Sequence, residues 1–168
     1  LPSALRTVVQ DFDSVESVGA LSSYEVVNII TDENELIGNS TLTTTYILNT
    51  HTHPGYAAPA CPWFWDYNAK EIMDSCHNDP LRVLVYDRNI ATWGYPIVEY
   101  AKEYDDFVSK NYTSLAELGY SSLYIRNDCY VDAIRRIESF CAEHGRYVSG
   151  YLQEEISQEK STVCLVYT

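Results

Sequence analysis

The sequence predicts an α/β domain in which a mixed central sheet is flanked by helices. The first observation is an alternation, because strand-like apolar runs are separated by segments with helical spacing of their apolar residues. The second is size and composition, since 168 residues with 46% hydrophobic and 21% charged residues are typical of one globular domain. No repeat, linker or low-complexity tract divides the chain. We therefore predict a single domain over residues 1–168.

The amino-terminal third is predicted to contain a helix followed by a β-hairpin. Residues 4–21 carry apolar side chains three and four positions apart, which predicts an amphipathic helix. Residues 24–30 and 41–50 are rich in the β-branched and aromatic residues that favour strands. The polar residues 31–34 between them have turn composition.

The middle of the chain is predicted to form a crossover unit. Residues 54–62 contain three prolines and a glycine, which predicts an ordered surface loop. Residues 66–76 predict a helix of about three turns that begins at an acidic N-cap, Asp66. Residues 81–86 predict a buried strand, and residues 90–95 predict its partner strand.

The carboxyl-terminal half is predicted to be mainly helical. Residues 97–118 and 128–151 have helical spacing, and the second segment carries the longest apolar stripe in the chain. Residues 122–125 and 161–167 are predicted to be strands.

The formal net charge of −13 restricts the classes of partner. Nucleic acid and anionic membrane surfaces would be repelled, whereas a cationic partner or a metal cation would be attracted. No apolar run approaches the ~20 residues that span a bilayer, and the first residues lack a charged and then apolar leader. We expect a mature or trimmed amino terminus and a protein or peptide as substrate or partner, without contact to nucleic acid or membrane.

Five cysteines and two sequons predict a secreted, disulfide-braced glycoprotein. Asn39 and Asn111 are the acceptor residues of the sequons Asn-Ser-Thr and Asn-Tyr-Thr. The disulfide connectivity stays open: Cys61 with Cys76 would clip a loop to a helix, and Cys129 with either later cysteine would staple the end of the chain. The alternative is a set of buried, reduced thiols.

His51 and His53 are the candidate metal ligands. Side chains two positions apart in a strand lie on the same face, so both imidazoles at the end of the predicted strand 41–50 could bind one zinc ion. The alternative is an exposed polar strand end.

The order of strand, His-Thr-His-Pro, proline-rich loop, Asp, helix and apolar strand resembles the JAMM/MPN metallopeptidase family over roughly residues 20–95. The resemblance implies a cytidine-deaminase-like architecture. It also implies a zinc ion bound by His51, His53 and Asp66, with Glu25 as the acid/base that acts on a zinc-bound water. Such a site would hydrolyse a peptide, isopeptide or side-chain amide. The chain departs from the family in two ways: its loop before Asp66 is longer, and Trp63 occupies the position of the family's serine.

Each of these assignments has an alternative. Glu25 could be a surface residue of an edge strand, and Asp66 could be only a helix N-cap. Trp63 and Trp65 could form a substrate wall or a partner-binding patch, or they could be buried beneath the loop.

Two other functions compete with hydrolysis. Class II aldolases carry a similar His-x-His pair, but the position of their third zinc histidine holds Asp128 here. The other alternative is a secreted binding protein without catalysis, such as an effector, toxin component or cytokine-like ligand. The loss of the family's serine and the acidic surface favour it.

Overall fold

A computed structural model describes residues 19–39 and 43–148, which form a mixed sheet between two layers of helices. The strands are β1 Leu36–Asn39, β2 His53–Ala57, β3 Val83–Val85, β4 Ala91–Thr92, β5 Tyr95–Pro96, β6 Tyr112–Leu115 and β7 Tyr120–Arg126. The helices are α1 Ser23–Ile30, α2 Thr43–Asn49, α3 Pro62–Asn78, α4 Ile97–Tyr100, α5 Lys102–Asn111 and α6 Tyr130–His144.

The central sheet has the order β2-β1-β3-β7-β6. Strands β2, β1 and β3 are parallel, whereas β7 is antiparallel to both β3 and β6. The predicted α/β class with a mixed central sheet is therefore confirmed. A crossover unit is present, since α3 connects the parallel strands β2 and β3, but its first strand lies in the segment predicted as a loop.

The alternation of side chains along β3 divides the core into two parts. Val83 and Val85 pack with the helices α1, α2 and α6, while Leu84 faces the opposite layer of α3, α4 and α5. All three side chains are buried, as expected of a strand covered on both faces.

The predicted strand over residues 24–30 is wrong, because this segment forms α1. The Ser22 side chain accepts a hydrogen bond from the Glu25 amide (3.2 Å), and the Glu25 carboxylate accepts one from the Ser22 amide (2.9 Å). This capping box satisfies two amide groups that would otherwise lack partners at the helix start. Val26 and Ile30 lie on one face and are fully buried, and this burial outweighs their β-propensity.

The predicted strand over residues 41–50, and with it the hairpin, is also wrong. Residues 43–49 form α2, and Tyr46 is buried there, with its ring 5.1 Å from that of Tyr24. Burial of Tyr46 therefore stabilises a helix in a segment rich in β-branched residues.

The predicted loop over residues 54–62 begins with a strand, β2. A Cβ atom at Gly55 would lie 2.8 Å from the Ile37 carbonyl oxygen, so glycine allows β2 to pair with β1 at this point. The loop itself is confined to residues 58–61.

The predicted helix over residues 66–76 is confirmed as the central part of α3. Its start is wrong, because α3 begins at Pro62 with Cys61 as the N-cap, so Asp66 lies one turn inside the helix. Proline at the first helical position needs no hydrogen-bond partner for its nitrogen.

The predicted strands over residues 81–86 and 122–125 are confirmed by β3 and β7, and the predicted helix over residues 128–151 is confirmed over α6. Residues 90–95 do not pair with β3 as predicted. They belong to a separate two-stranded hairpin, β4–β5.

The helical prediction for residues 97–118 holds for α4 and α5 but fails at β6. There the buried Tyr112 hydroxyl donates to the Leu81 carbonyl oxygen (2.6 Å). Residues 4–18 of the first predicted helix and the last predicted strand, 161–167, lie outside the described residues. Within the described part of the chain, no helix has both the length and the apolar character needed to cross a bilayer.

Candidate binding surface

The His51 imidazole is hydrogen-bonded within a polar network between the end of α1 and the end of α2. Its Nε2 atom lies 2.9 Å from the Thr31 hydroxyl oxygen and 3.2 Å from the Thr31 carbonyl oxygen. The Thr31 hydroxyl donates to the Val27 carbonyl oxygen (2.5 Å), so toward His51 it acts as an acceptor. His51 Nε2 therefore carries a proton and donates, which places the lone pair of the neutral imidazole on Nδ1.

His53 has a different partner. Its Nε2 atom lies 2.9 Å from the Asn34 side-chain oxygen, which is an acceptor, so this nitrogen also donates. The backbone amide of His53 donates to the Glu35 carbonyl oxygen (2.9 Å), which begins the pairing of β2 with β1. The two imidazoles thus serve separate structural contacts.

Glu25, the predicted acid/base, stabilises the start of α1. Besides the capping box, its carboxylate lies 2.8 Å from the Arg146 guanidinium. Partial burial opposes ionisation of Glu25, but the Ser22 amide and Arg146 outweigh it and lower the pKa of this carboxyl below its ordinary value. A carboxylate held by a guanidinium in this way is a poor proton acceptor at neutral pH.

The side chains that the family resemblance assigns to zinc have separate surroundings. Asp66 is exposed on α3, whereas His51 contacts Thr31 and His53 contacts Asn34 through their Nε2 atoms. Within residues 19–39 and 43–148, no three His, Cys, Asp or Glu side chains are grouped so that they could hold a metal ion. Zinc binding stays a prediction of the sequence, without a gathered donor set to support it.

The four cysteines within the described residues are placed as thiols. No disulfide joins any two of Cys61, Cys76, Cys129 and Cys141, and Cys164 lies outside the described residues. Cys76 is fully buried, and this burial raises the pKa of its thiol to about 11. The predicted clip between Cys61 and Cys76 is not formed.

The two sequons differ in what surrounds them. Asn39 ends β1, and the next two residues of its sequon lie outside the described ranges. Asn111 ends α5, where its side-chain nitrogen donates to the Phe107 carbonyl oxygen (2.8 Å), and Thr113 donates to the Asn127 side-chain oxygen (2.7 Å). Glycosylation and secretion remain predictions.

The predicted aromatic residues Trp63 and Trp65 have opposite environments. Trp65 is 7% exposed and belongs to the core beneath α3, so the alternative of burial is correct for it. Trp63 is 55% exposed at the first turn of α3. Trp63 is therefore the member of the pair that can contact a partner.

A second exposed tryptophan lies at the tip of the hairpin β4–β5. Trp93 and Gly94 form the two-residue turn, with φ of 53° and 83°, respectively. Two-residue hairpin turns with positive φ at both positions favour Asn-Gly, because a bulky side chain is strained in the left-handed region. Trp93 nevertheless occupies the first position and is 70% exposed. The turn thus presents a large aromatic ring to solvent at a position that disfavours it.

The hairpin is attached to the start of α3. The Thr92 hydroxyl donates to the Ala60 carbonyl oxygen (3.3 Å), three residues before Trp63. Tyr95, which pairs with Thr92 across the hairpin, is 60% exposed, and Tyr67, one turn after Trp63 on α3, is 85% exposed. We define Trp63, Tyr67, Trp93 and Tyr95 as the aromatic surface.

An ion pair between the buried Asp105 and the half-exposed Arg88 supports the segment that leads into the hairpin. The Asp105 carboxylate, almost inaccessible to solvent, accepts bonds from Arg88 Nε (2.8 Å), Arg88 Nη2 (2.9 Å) and the Tyr86 hydroxyl (2.7 Å). Burial, together with the bond to Asp105, raises the pKa of the Tyr86 hydroxyl. This network fixes the chain between β3 and β4 against α5.

Two acidic side chains without ion partners lie beside the aromatic surface. Asp66 is exposed between Trp63 and Tyr67 in the sequence of α3, and Glu99 is exposed on α4, directly after the hairpin. Neither carboxylate has a cationic partner in the described part of the chain. The surface therefore combines large aromatic rings with uncompensated negative charge.

Sequence reasoning missed Tyr67, Trp93 and Tyr95. The sequence held one signal for the hairpin, the dipeptide Trp93-Gly94 between two short strand-like segments. A glycine at the second position of a two-residue turn is typical of a β-hairpin. The signal was weak because tryptophan replaces the expected asparagine.

Comparisons of the chain with protein-family models, with curated proteins and with solved structures gave no significant match.

Proposed function

We propose that this protein is a binding domain without catalysis, whose aromatic surface binds a positively charged segment of a partner protein. The observation that carries the proposal is Trp93, an exposed tryptophan held in a left-handed turn conformation that an asparagine or glycine would adopt more easily. The left-handed conformation at Trp93 lowers stability, and a ring that contacts another molecule would explain why tryptophan is present there.

The composition of the surface supports a protein partner. Tryptophan and tyrosine supply large, rigid contact areas and are enriched among the residues that dominate binding energy. Trp63, Tyr67, Trp93 and Tyr95 are all more than half exposed, which is unusual for such large rings.

The charge supports a cationic segment. A net charge of −13 attracts cations over the whole molecule, and Asp66 and Glu99 supply local carboxylates. Lysine and arginine side chains also interact favourably with the faces of tryptophan and tyrosine rings. The proposal follows the alternative function named in the sequence analysis, a binding protein without catalysis, and adds the surface that would bind the partner.

The test uses a fluorescein-labelled peptide in which Arg and Lys alternate with Leu and Gly, titrated by fluorescence anisotropy. We expect the Trp63→Ala/Trp93→Ala variant to bind about tenfold more weakly or worse, since loss of an aromatic anchor costs about 1–2 kcal/mol or more. The matched control is Leu48→Ala/Val131→Ala, which removes two exposed apolar side chains elsewhere and should bind like the wild type.

A second peptide with Glu in place of Arg and Lys tests the charge. We expect it to bind negligibly, and we expect binding of the basic peptide to weaken as salt is added. Equal binding of the tryptophan variant and the wild type, or equal binding of the acidic and basic peptides, would refute the proposal.

A further inference from the structure

A groove of about 650 Å³ continues from the aromatic surface along α3. One wall is apolar and consists of Leu36, Tyr56 and Leu81, which come from β1, β2 and the segment before β3. The other wall is the exposed face of α3, beginning with Tyr67. Tyr67 therefore belongs both to the aromatic surface and to the entrance of this groove.

The α3 wall follows a helical stripe. Tyr67, Glu71, Ser75 and Asn78 are spaced four, four and three residues apart, so their side chains lie on one face of the helix. This stripe is about 16 Å long at ~1.5 Å per residue. An extended peptide of about five residues covers that length at ~3.3 Å per residue.

Two carboxylates in the groove lack a cationic partner. Asp74 is paired with Lys70 (2.5 Å), which neutralises both side chains. Glu71 and Asp79 also line the groove, are exposed, and make no ion pair with any residue in the described ranges. The groove thus has a surplus of negative charge beside an exposed tyrosine ring.

The carboxylate of Asp79 is placed unfavourably for α3. The residue is the C-cap of α3, where its carboxylate lies at the negative end of the helix dipole. Its backbone amide donates to the Ser75 carbonyl oxygen (3.0 Å), a bond that any residue other than proline could make. This acidic side chain lines the groove and is available to a cationic ligand.

A guanidinium fits this combination better than an ammonium. It is planar, it stacks on an aromatic face, and its donors bind a carboxylate in two parallel bonds. An aliphatic stem also suits the apolar wall of Leu36 and Leu81.

We infer that this groove binds arginine side chains of an extended segment, with one guanidinium between Tyr67 and the Glu71 carboxylate and a second, about four residues further along the segment, at the Asp79 carboxylate. The inference rests on the proposed function, since these arginines belong to the same basic segment that contacts the aromatic surface. It assigns the surface a specificity for arginine over lysine.

The experiment compares three labelled peptides of otherwise identical sequence. Every basic position is arginine in the first, lysine in the second and citrulline in the third. Citrulline has the shape of arginine without its charge. We expect the wild type to bind the arginine peptide about tenfold or more tightly than the citrulline peptide, and more tightly than the lysine peptide. In Glu71→Gln/Asp79→Asn this preference should largely disappear.

The matched control is Glu117→Gln/Glu143→Gln, which removes the same charge from exposed positions elsewhere. It should keep the preference for arginine. Circular dichroism melts verify the fold, and Asp79→Asn should not destabilise α3, because it removes an unfavourable charge from the helix end.

The outcomes separate the two proposals. If the groove variant keeps the wild-type preference while Trp63→Ala/Trp93→Ala loses binding, the arginine site is refuted and the aromatic surface stands. If the wild type binds the arginine and lysine peptides equally, the arginine site is likewise refuted. If neither variant changes binding, both proposals are refuted.

Discussion

Glu25 and Arg146 form an ion pair that joins the first turn of α1 to the chain just after α6 (2.8 Å). Arg146 also donates to the carbonyl oxygens of Gly19 (3.1 Å) and Ala20 (3.2 Å). The two ends of the described chain are thus held together by one guanidinium, and Glu25, first predicted as an acid/base, is part of the fold.

Replacing Glu25 should make stability less sensitive to acid. Because the pKa of Glu25 is lowered in the folded protein, its ionised form stabilises the fold above the ordinary value of 4.5. This contribution is lost as the pH falls through the folded-state pKa. We expect Glu25→Gln to lose about 0.5–1 kcal/mol at pH 7, the upper range for partly exposed pairs, and to approach the wild type at lower pH.

Urea unfolding of both proteins between pH 3 and pH 7 measures this difference. Glu143→Gln on α6 is the control, since its side chain is exposed and has no ion partner in the described ranges. A difference between Glu25→Gln and wild type that is independent of pH would contradict the assignment.

Replacing Trp93 should stabilise the protein while weakening binding. Asparagine adopts the left-handed conformation of Trp93 more easily, so we expect Trp93→Asn to gain about 1 kcal/mol, or about 2–4 °C in melting temperature. Affinity for the basic peptide should decrease in the same variant. Trp63→Asn, in an ordinary helical position, is the control and should bring no gain in stability.

Thermal unfolding and peptide anisotropy on the same samples give both quantities. A Trp93→Asn variant that is less stable than the wild type would show that the ring supports the hairpin, and the argument from strain would fail.

The two histidines have no third ligand gathered beside them in the described part of the chain. Because zinc sites need at least three protein ligands, we expect the wild type and His51→Ala/His53→Ala to contain the same substoichiometric amount of metal. Plasma mass spectrometry after purification without chelators measures it. About one zinc per chain in the wild type, lost in the variant, would restore the metallopeptidase prediction and justify an assay in which Glu25→Gln abolishes amide hydrolysis.

His51 should matter for stability instead. His51→Ala leaves the buried Thr31 without its imidazole partner, and we expect a loss of about 1 kcal/mol. Unfolding in urea with and without added zinc checks this, since a structural role predicts the same loss in both conditions.

The sequence by itself determined those helices and strands whose spacing of apolar residues matches their burial in the fold. The continuous apolar run of β3 is covered on both faces, and the apolar stripe of α6 packs on the sheet through Ala133 and Ile137. In these segments propensity, periodicity and burial agree, so local reasoning was sufficient. The α/β class and the mixed sheet follow from them.

Only the tertiary structure decided the conformations of α1 and α2 and therefore the surroundings of His51. Their β-branched residues favour strands in isolation, but a capping box at Ser22 and burial of one face at Ile30 stabilise the helix α1. Because α2 is a helix, His51 does not lie at the end of a strand. Its imidazole is instead hydrogen-bonded to Thr31.

The candidate surface was likewise decided in three dimensions. Trp63 and Trp93 are thirty residues apart in the sequence, and the bond between Thr92 and Ala60 brings their segments together. Neighbouring Trp65 has the same chemistry as Trp63 but faces the core. Residue type indicated aromatic contacts, whereas the direction of each side chain depended on the packing of α3 against the sheet.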